Sequence, residues 1–214
     1  MKVIVQVLYT HDWGELAGVT SPNIFEYCIK HGYHPYFLCV KKPYDAFDKI
    51  RNCLSNFELG FDVVWCLDAD AMVTNTKIPL ESFVDDKRDF YLCEDVNGYN
   101  TGSFIVKKSE WSINFLNEVL SQINKDGVYC EQDAIINCMN AQITDKIRVL
   151  PHPSINSYKY DEYGDNYGRI NPNPNENKMP KHEEGNWQEG DFVLHLPGVS
   201  MKKRIEIFSQ IKPI

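Results

Sequence analysis

Short apolar runs alternate with amphipathic segments along the first third of the chain. Nearly unbroken runs of β-branched and aromatic residues are typical of strands that are buried on both faces of a parallel sheet. Three such runs lie at residues 3–9, 36–40 and 61–67. Apolar residues at helical spacing lie between them at 21–31 and 46–54. Because strands and helices alternate from the first residue, we predict a Rossmann-like, mostly parallel sheet with crossover helices.

The first of these helices carries signals for both of its ends. Ser21 is a favourable N-cap, Pro22 suits the first helical position, and Gly32 suits the position after the last turn. We therefore expect this helix to begin at residue 21 and to end at residue 31.

The second half of the chain is less regular. Further strands are predicted at 89–93, 103–106, 147–150 and 192–195, and further helices at 111–123, 131–139 and the basic C-terminal segment. Residues 161–189 are rich in Asn, Pro, Gly, Tyr and charge, which predicts a long loop. This loop is either a lid over a functional site or a disordered linker. The aromatic residues that such a lid would offer are Tyr158, Tyr160, Tyr163, Tyr167 and Trp187.

Length and composition are those of one soluble globular domain, so we treat 1–214 as a single α/β domain. A net charge of −8 without a Lys/Arg run argues against a nucleic-acid partner. No stretch reaches the ~18 apolar residues of a membrane helix, and the first segment is interpreted as a strand and not as a signal peptide. Seven cysteines without a CxxC pair indicate a reducing, cytoplasmic setting and no disulfide framework.

Two carboxylates, Asp68 and Asp70, follow the predicted strand at 61–67. Side chains at i and i+2 of an extended backbone point to the same side, and the carboxyl ends of parallel strands face the ligand crevice of open α/β sheets. Two like charges there repel each other unless a cation lies between them. A divalent metal that also binds a diphosphate would neutralise both partners. The alternative is a solvated turn, in which Asp is common.

A second polar group follows the last predicted strand. His195 ends that strand, Gly198 permits a close approach of the backbone, and the cations Lys202, Lys203 and Arg204 lie just beyond. Imidazole suits a Mn-like ion, and lysines suit a diphosphate. The alternative is a packed or capping histidine followed by lysines that complement a helix end. In combination with the two aspartates, we favour metal ligation.

Turn signals stand at both sides of Asn100, at 97–98 and at 101–102. An amide at such a turn is able to donate to sugar hydroxyls, and a plain hairpin tip is the alternative.

Three polar residues, Glu131, Gln132 and Asp133, open a predicted helix. They are able to bind hydroxyls, but acidic residues are also expected at a helix N-terminus. From spacing alone, helix capping is the better interpretation.

Five segments occur in a fixed order between residues 45 and 198: DADAMVTN, NTGSFIVKKSEWS, EQDAI, PHPSINSY and DFVLHLPG. This ordered set resembles glycosyltransferase family 34, the galactosyl-, mannosyl- and xylosyl-type transferases with the GT-A fold. The resemblance implies transfer of a sugar from a UDP- or GDP-sugar, with UDP favoured, to a glycan or glycoprotein acceptor. It implies Mn²⁺ (or Mg²⁺) as cofactor and retention of the anomeric configuration. It also implies a nucleotide-binding half, 1–75, and a donor-sugar and acceptor half, 76–214.

The resemblance assigns roles by position. Asp68 and Asp70 would bind the metal and the diphosphate, and His195 would be the third protein ligand. Asn100 and Glu131 would hold hydroxyls of the donor sugar.

The other matched positions are expected at the reacting carbon or against the donor. Gln132, with Asp133 beside it, would lie at the reacting face of the anomeric carbon, and Thr10 and Asp12 would lie near the base and ribose. The remaining donor-binding candidates are Lys49, Arg51, Ala69, Gly198, Lys202 and Lys203.

Two features depart from the family pattern. Eukaryotic members usually carry a membrane anchor and a lumenal context, neither of which this sequence indicates. The family's basic residue follows His-x-x-Gly sooner, whereas here Ser200 and Met201 precede Lys202. A compact form without an anchor resembles the domains that chlorella viruses use to glycosylate their capsids, and such a domain can be part of a longer protein.

Two other functional classes stay open. A haloacid-dehalogenase-type phosphatase also places Asp-x-Asp after an apolar strand, but there the motif lies on the first strand and continues with Thr or Val where Met72 stands. A catalytically silent module that binds a nucleotide-sugar or glycan is the third possibility. We predict the glycosyltransferase.

Overall fold

The computed structural model describes residues 1–41, 45–141, 144–163 and 179–214. The described residues form the strands β1 (Val3–Thr10), β2 (His34–Val40), β3 (Val63–Leu67), β4 (Ala71–Val73), β5 (Phe90–Asp95), β6 (Gly98–Lys107), β7 (Ile147–Leu150), β8 (Ser157–Tyr158) and β9 (Val193–His195). They also form the helices α1 (Gly14–His31), α2 (Asp48–Glu58), α3 (Glu110–Ser121), α4 (Glu131–Ala141) and α5 (Met201–Gln210). None of these helices is long and apolar enough to cross a membrane.

The main sheet has six strands in the order β2-β1-β3-β6-β5-β7. The pairs β1–β2, β1–β3 and β5–β7 are parallel, and β6 runs antiparallel to both of its neighbours. The predicted α/β class, with a mixed and mostly parallel sheet, is therefore confirmed.

Side chains of the central strands alternate between two helical layers, as the two-residue period of a strand requires. On β1 and β3, odd-numbered residues such as Val5 and Trp65 face a cluster that contains Tyr27 of α1. Even-numbered residues such as Ile4 and Val64 face a second cluster, to which α2, α3 and α4 contribute. Both faces of the sheet are thus covered, which explains the unbroken apolar runs of these strands.

A second, three-stranded sheet has the order β4-β9-β8. Its residues Met72 and Leu194 pack with Ile207 and Phe208 of α5 in a third apolar cluster. Strand β4 comes directly after β3 in the chain, whereas β9 comes near the C-terminus. The small sheet therefore joins the end of β3 to the C-terminal part of the chain.

Helix α1 begins seven residues before the predicted start, at Gly14. The expectation that Ser21 is its N-cap was wrong, because Leu16 and Thr20 in the two preceding turns are buried against the core. Pro22 lies inside the helix and removes one backbone hydrogen bond there. Burial of the first two turns outweighs that loss. Gly32 follows the helix as predicted, with φ of 72° and its N–H bonded to the Cys28 and Ile29 carbonyls.

The described residues of the predicted loop, 161–163 and 179–189, form short 3-10 turns, irregular backbone and an isolated bridge at Asn186. Tyr160 and Tyr163 pack into the third apolar cluster, and Tyr158 is fully buried, so these rings do not offer free faces to a ligand. A short 3-10 turn follows at His182–Glu184. Residues 164–178, with Tyr167, lie outside the described residues, and the lid stays a prediction.

Replacement of Gly32 by alanine tests the end of α1. A methyl group there meets open space, so the expected loss of about 1–2 kcal/mol comes only from the left-handed backbone. Gly18→Ala, inside the same helix and also in open space, should instead stabilise by about 0.5–1 kcal/mol. Urea unfolding measures both variants. Equal shifts in the same direction would contradict the left-handed C-cap.

Candidate active site

A cavity of about 950 Å³ lies at the carboxyl ends of β1 and β3. Its described walls come from six parts of the chain: the end of β1, the start of α2, the turn after β3, the start of β6, residues 123–132 up to the start of α4, and the end of β9 with the turn after it. The polar residues in these walls are Thr10, Asp45, Lys49, Asp68, Asp70, Asn100, Thr101, Asn124, Glu131, Gln132 and His195. This is the crevice at which open α/β sheets bind ligands.

Strand register brings His195 to the two aspartates. Ala71 of β4 pairs directly with His195 of β9, and the Leu196 N–H donates to the Asp70 carbonyl at 2.9 Å. One ligand atom each of Asp68, Asp70 and His195 lies within 4.8 Å of the others. The predicted convergence of these three side chains is present in the structure.

The two carboxylates have different electrostatic surroundings. Burial and the neighbouring charge of Asp70 raise the pKa of Asp68 above its usual value, although Lys49 opposes the shift. Burial alone would also raise the pKa of Asp70, but His195 and Arg204 outweigh it and hold that pKa below its usual value. Asp70 is the more firmly ionised of the two, with Arg204 Nη2 2.8 Å from its Oδ2.

The surroundings of His195 Nε2 show whether these residues fit a metal ion. This atom is buried, lies 3.3 Å from Asp70 Oδ1, and has no hydrogen-bond partner within the described part of the chain. An unsatisfied buried nitrogen costs free energy. Two carboxylates and one imidazole nitrogen are a donor set for Mn²⁺ or Mg²⁺-like ions, and a cation there would satisfy the nitrogen. Asp68, Asp70 and His195 therefore fit a divalent metal ion.

Lys49 connects the aspartate pair to the start of α4. Its Nζ lies 2.5 Å from Asp68 Oδ1 and 2.7 Å from Glu131 Oε1. Thr101 Oγ1 also donates to Glu131 Oε1, at 3.2 Å. Glu131 is buried, so its charge is held by these partners and not by water.

Gln132 and Asn100 line the cavity with amides that already have partners in the protein. Gln132 Oε1 accepts the Thr101 N–H at 3.1 Å. Asn100 Oδ1 accepts the Gly102 N–H, and its Nδ2 donates to Asp95. Each side-chain amide nitrogen carries two hydrogens. The contacts above use one hydrogen of Asn100 Nδ2 and involve only the oxygen of Gln132, so at most one hydrogen of each amide is needed for them. Thr10, Ala69 and Gly198 also lie in the cavity wall.

Two positions expected against the donor or the reacting carbon lie elsewhere. The Asp133 carboxylate accepts the N–H groups of Tyr129 and Cys130, at 2.9 and 3.1 Å, which is the capping role. Arg51 is exposed and pairs with Asp45 and Asp48. Neither Asp133 nor Arg51 is part of the cavity wall, although Asp45, one partner of Arg51, is.

Three further predicted donor contacts also lie outside the cavity wall. Asp12 is exposed in a 3-10 turn after β1 and is not part of the wall. Lys202 is exposed, and Lys203 Nζ pairs with Glu162 at 3.1 Å. The cation of α5 that does reach the site is Arg204, which donates from Nε to the Leu196 carbonyl and packs over Trp13.

Two further residues of the site were not singled out in the sequence. Asn156 is fully buried, and its Oδ1 lies 2.7 Å from His195 Nδ1. Gly102 was interpreted as a turn, but it lies inside β6, where a larger side chain would overlap His195. The only signal for Asn156 was its position in PHPSINSY, and for Gly102 there was no signal that separates a turn from a close contact.

The arrangement is that of the GT-A fold of glycosyltransferases. A crystal structure of a glycosyltransferase involved in the glycosylation of the major capsid of PBCV-1 matches 99% of this chain and 100% of its own length, with a TM-score of 0.73 and 16% identity. The galactosyltransferase LgtC, solved with donor and acceptor sugar analogs, matches 99% of this chain and 97% of its own, with a TM-score of 0.56 and 11% identity. The predicted fold is confirmed.

The chain belongs to the galactosyl transferase GMA12/MNN10 family, whose profile matches residues 82–206. It is 24% identical over 185 residues to an uncharacterized alpha-1,2-galactosyltransferase of Schizosaccharomyces pombe (strain 972 / ATCC 24843). The match covers 64% of this chain and 49% of that protein, so the chain spans about half the length of this curated relative. The family resemblance found in the sequence is confirmed.

Gly102→Ala tests how closely β6 is fitted to His195. A methyl group at this position would overlap the imidazole Cε1 and approach Nδ1 at 2.9 Å. We expect the displaced ring to lower Mn²⁺ affinity by about tenfold or more, as for other changes that misorient a metal ligand. Titration calorimetry with Mn²⁺ measures the change, and Gly18→Ala is the control. Unchanged affinity in the Gly102 variant would contradict the close contact.

Proposed function

We propose that this protein transfers a sugar from a nucleotide-sugar, with a UDP-sugar favoured, to a hydroxyl of a glycan or glycoprotein. The proposal includes Mn²⁺ (or Mg²⁺) at Asp68, Asp70 and His195, and retention of the anomeric configuration. Family membership supports glycosyl transfer.

The observation that carries the proposal is the buried, unpartnered Nε2 of His195 beside Asp70. An aspartate pair at a surface turn needs no ion. An imidazole nitrogen that is buried 3.3 Å from a carboxylate is satisfied either by a proton shared with that carboxylate or by a cation bound to both, and the second aspartate favours the cation. A site for a cation at the carboxyl end of β3 is where a diphosphate would enter the cavity.

When bound, Mn²⁺ would supply positive charge against the negative charge that develops on the departing nucleoside diphosphate. The protein's own residues prepare this place. Lys49 holds one oxygen of Asp68, Arg204 holds one oxygen of Asp70, and both carboxylates are thereby kept from rotating. Such fixed charges need no reorganisation during the reaction.

The aromatic part of the cavity wall supports a nucleoside at the end of β1. Tyr9, Trp13 and Phe47 lie in the wall on this side, next to Thr10. Aromatic faces suit a planar base, and the Thr10 hydroxyl suits a polar edge of the base or ribose. The diphosphate then extends toward Asp68 and Asp70, and the sugar toward Glu131 and Gln132.

The contacts of Glu131 and Gln132 support retention by front-side attack. In this reaction the bond from the anomeric carbon to the diphosphate breaks, the acceptor oxygen forms the new bond, and its proton moves to the diphosphate. The Gln132 carbonyl is occupied by the Thr101 N–H, and Oε1 of Glu131 is occupied by Lys49 and Thr101. An amide oxygen is a weak nucleophile and base, and the Glu131 charge is paired with the Lys49 ammonium, so the departing diphosphate is the better proton acceptor.

The alternatives make different predictions for the same protein. A phosphatase would release inorganic phosphate, and the GT-A fold and family give it no support. A silent module would bind UDP in the presence of Mn²⁺ and would turn over no donor. Slow hydrolysis of a panel of nucleotide-sugars therefore separates the three classes and identifies base and sugar together.

Asp70→Asn is the test variant for the metal. It keeps the size of the side chain but removes the charge between His195 and Arg204. We expect Mn²⁺-dependent UDP affinity to fall by about tenfold or more and donor hydrolysis to fall at least as far. Calorimetry with UDP, with and without Mn²⁺, and a hydrolysis assay measure the two effects.

Asp126→Asn is the matched control, since Asp126 is exposed. Circular dichroism checks that both variants are folded. The check is needed because the buried Arg204 loses a charged partner in Asp70→Asn. Wild-type UDP affinity and hydrolysis in Asp70→Asn would exclude a metal at this site.

A further inference from the structure

The orientation of the Asn100 side-chain amide is fixed by two groups. Its Oδ1 accepts the backbone N–H of Gly102 at 2.9 Å, and its Nδ2 donates to Asp95 Oδ2 at 3.0 Å. A backbone N–H only donates, and an ionised carboxylate only accepts. Both contacts therefore require the same orientation of the amide, with the Asn100 oxygen toward Gly102.

This orientation determines that of Asn156, which packs against Asn100. Asn156 Nδ2 lies 3.1 Å from Asn100 Oδ1 and 3.5 Å from the Tyr158 hydroxyl. Because the Asn100 oxygen only accepts, the atom of Asn156 that faces it must be the donor, Nδ2. The Asn156 oxygen must then point the other way, toward His195.

The Asn156 oxygen in turn determines which nitrogen of His195 carries the proton. Nδ1 lies 2.7 Å from Asn156 Oδ1, and a carbonyl oxygen needs a hydrogen from its neighbour. In the neutral imidazole the proton is therefore on Nδ1, and Nε2 has a lone pair. In this neutral form Nε2 and Asp70 Oδ1, which lie 3.3 Å apart, are both acceptors, whereas a doubly protonated ring would donate from Nε2 to Asp70.

We propose that Asn156 is a positioning residue that holds the His195 imidazole in the Nδ1–H tautomer and so presents the Nε2 lone pair to a divalent cation. The cation itself rests on the proposed function, whereas the tautomer does not. Asn156 is completely buried, as is the Tyr158 ring beside it, so water does not compete for the Asn156 oxygen. Groups that fix a ligating histidine through its other nitrogen act in this way at many metal sites.

Asn156→Leu tests the proposal, because leucine has nearly the same size and no acceptor. Without the Asn156 oxygen, the best remaining acceptor for a ring proton is Asp70 Oδ1, on the Nε2 side. We expect nitrogen NMR of the metal-free protein, at about pH 8 where imidazole is ordinarily neutral, to show Nδ1–H in the unchanged protein and Nε2–H in the variant. Mn²⁺ affinity should fall by at least about tenfold.

Asn156→Asp is the conservative variant, and Asn56→Leu is the matched control. Aspartate keeps an oxygen toward Nδ1, replaces the donor to Asn100 by a second oxygen and adds a negative charge, so Nδ1 should keep its proton and the Mn²⁺ affinity lost in Asn156→Leu should largely return. Asn56 in α2 is also a buried amide, and it donates to Gln6 instead of a residue of the site. Its loss should therefore leave the His195 resonances unchanged.

The outcomes separate this proposal from the proposed function. Nε2–H in the unchanged protein, or an unchanged tautomer in Asn156→Leu, would overturn the role of Asn156. If the leucine variant does not fold, the tautomer of the unchanged protein and Asn156→Asp still decide. The expected tautomers without Mn²⁺ binding in any variant would support the role of Asn156 and would contradict the metal in the proposed function.

Discussion

The mutual repulsion of Asp68 and Asp70 is the constraint around which the rest of the site is built. Each carboxylate is held by its own cation: Asp68 by Lys49 from α2, and Asp70 by Arg204 from α5. Glu131 shares Lys49, so three carboxylates face two cations, and one negative charge is left. That residual charge favours a bound cation over an empty site, because the interior screens charges poorly. Helices α2 and α5 are thus required by the site as well as by the apolar clusters in which they pack.

Much of this arrangement follows from the sequence. The apolar runs predict buried strands, and a strand that ends in Asp68-Ala69-Asp70 places both carboxylates at the crevice. The convergence of His195 with this pair follows less directly. It depends on the pairing of β4 with β9, two strands of three residues each, and no local pattern gives that register. The residue types and the ordered set of family segments predicted that His195 joins the pair, but not the strand pairing that brings it there.

The sequence did not predict which cation of α5 reaches the site or where α1 begins. The physical reason is the same in both cases, because tertiary packing decides them. Lys202, Lys203 and Arg204 are consecutive, and on a helix each step turns the side chain by about 100°. Composition says that a cation is present, but only the packing of α5 decides that Arg204 faces Asp70 while Lys203 faces Glu162. The start of α1 is a similar case. Ser21-Pro22 has the local form of a helix start, and burial of Leu16 overrides it.

The antiparallel direction of β6 determines which of its residues reach the site. Because β6 runs opposite to β3, its first residues, not its last, reach the crevice, and the Asp68 N–H bonds to the Gly102 carbonyl at 2.7 Å. The N–H of that same glycine sets the Asn100 amide, so one peptide strand aligns Asp68 on one side and the partners of His195 on the other. Gly102 must also lack a side chain to leave room for the imidazole. A backbone position that serves two ligands at once cannot move for one without disturbing the other. The geometry of the site is therefore tied to the main sheet and not to the loops around it.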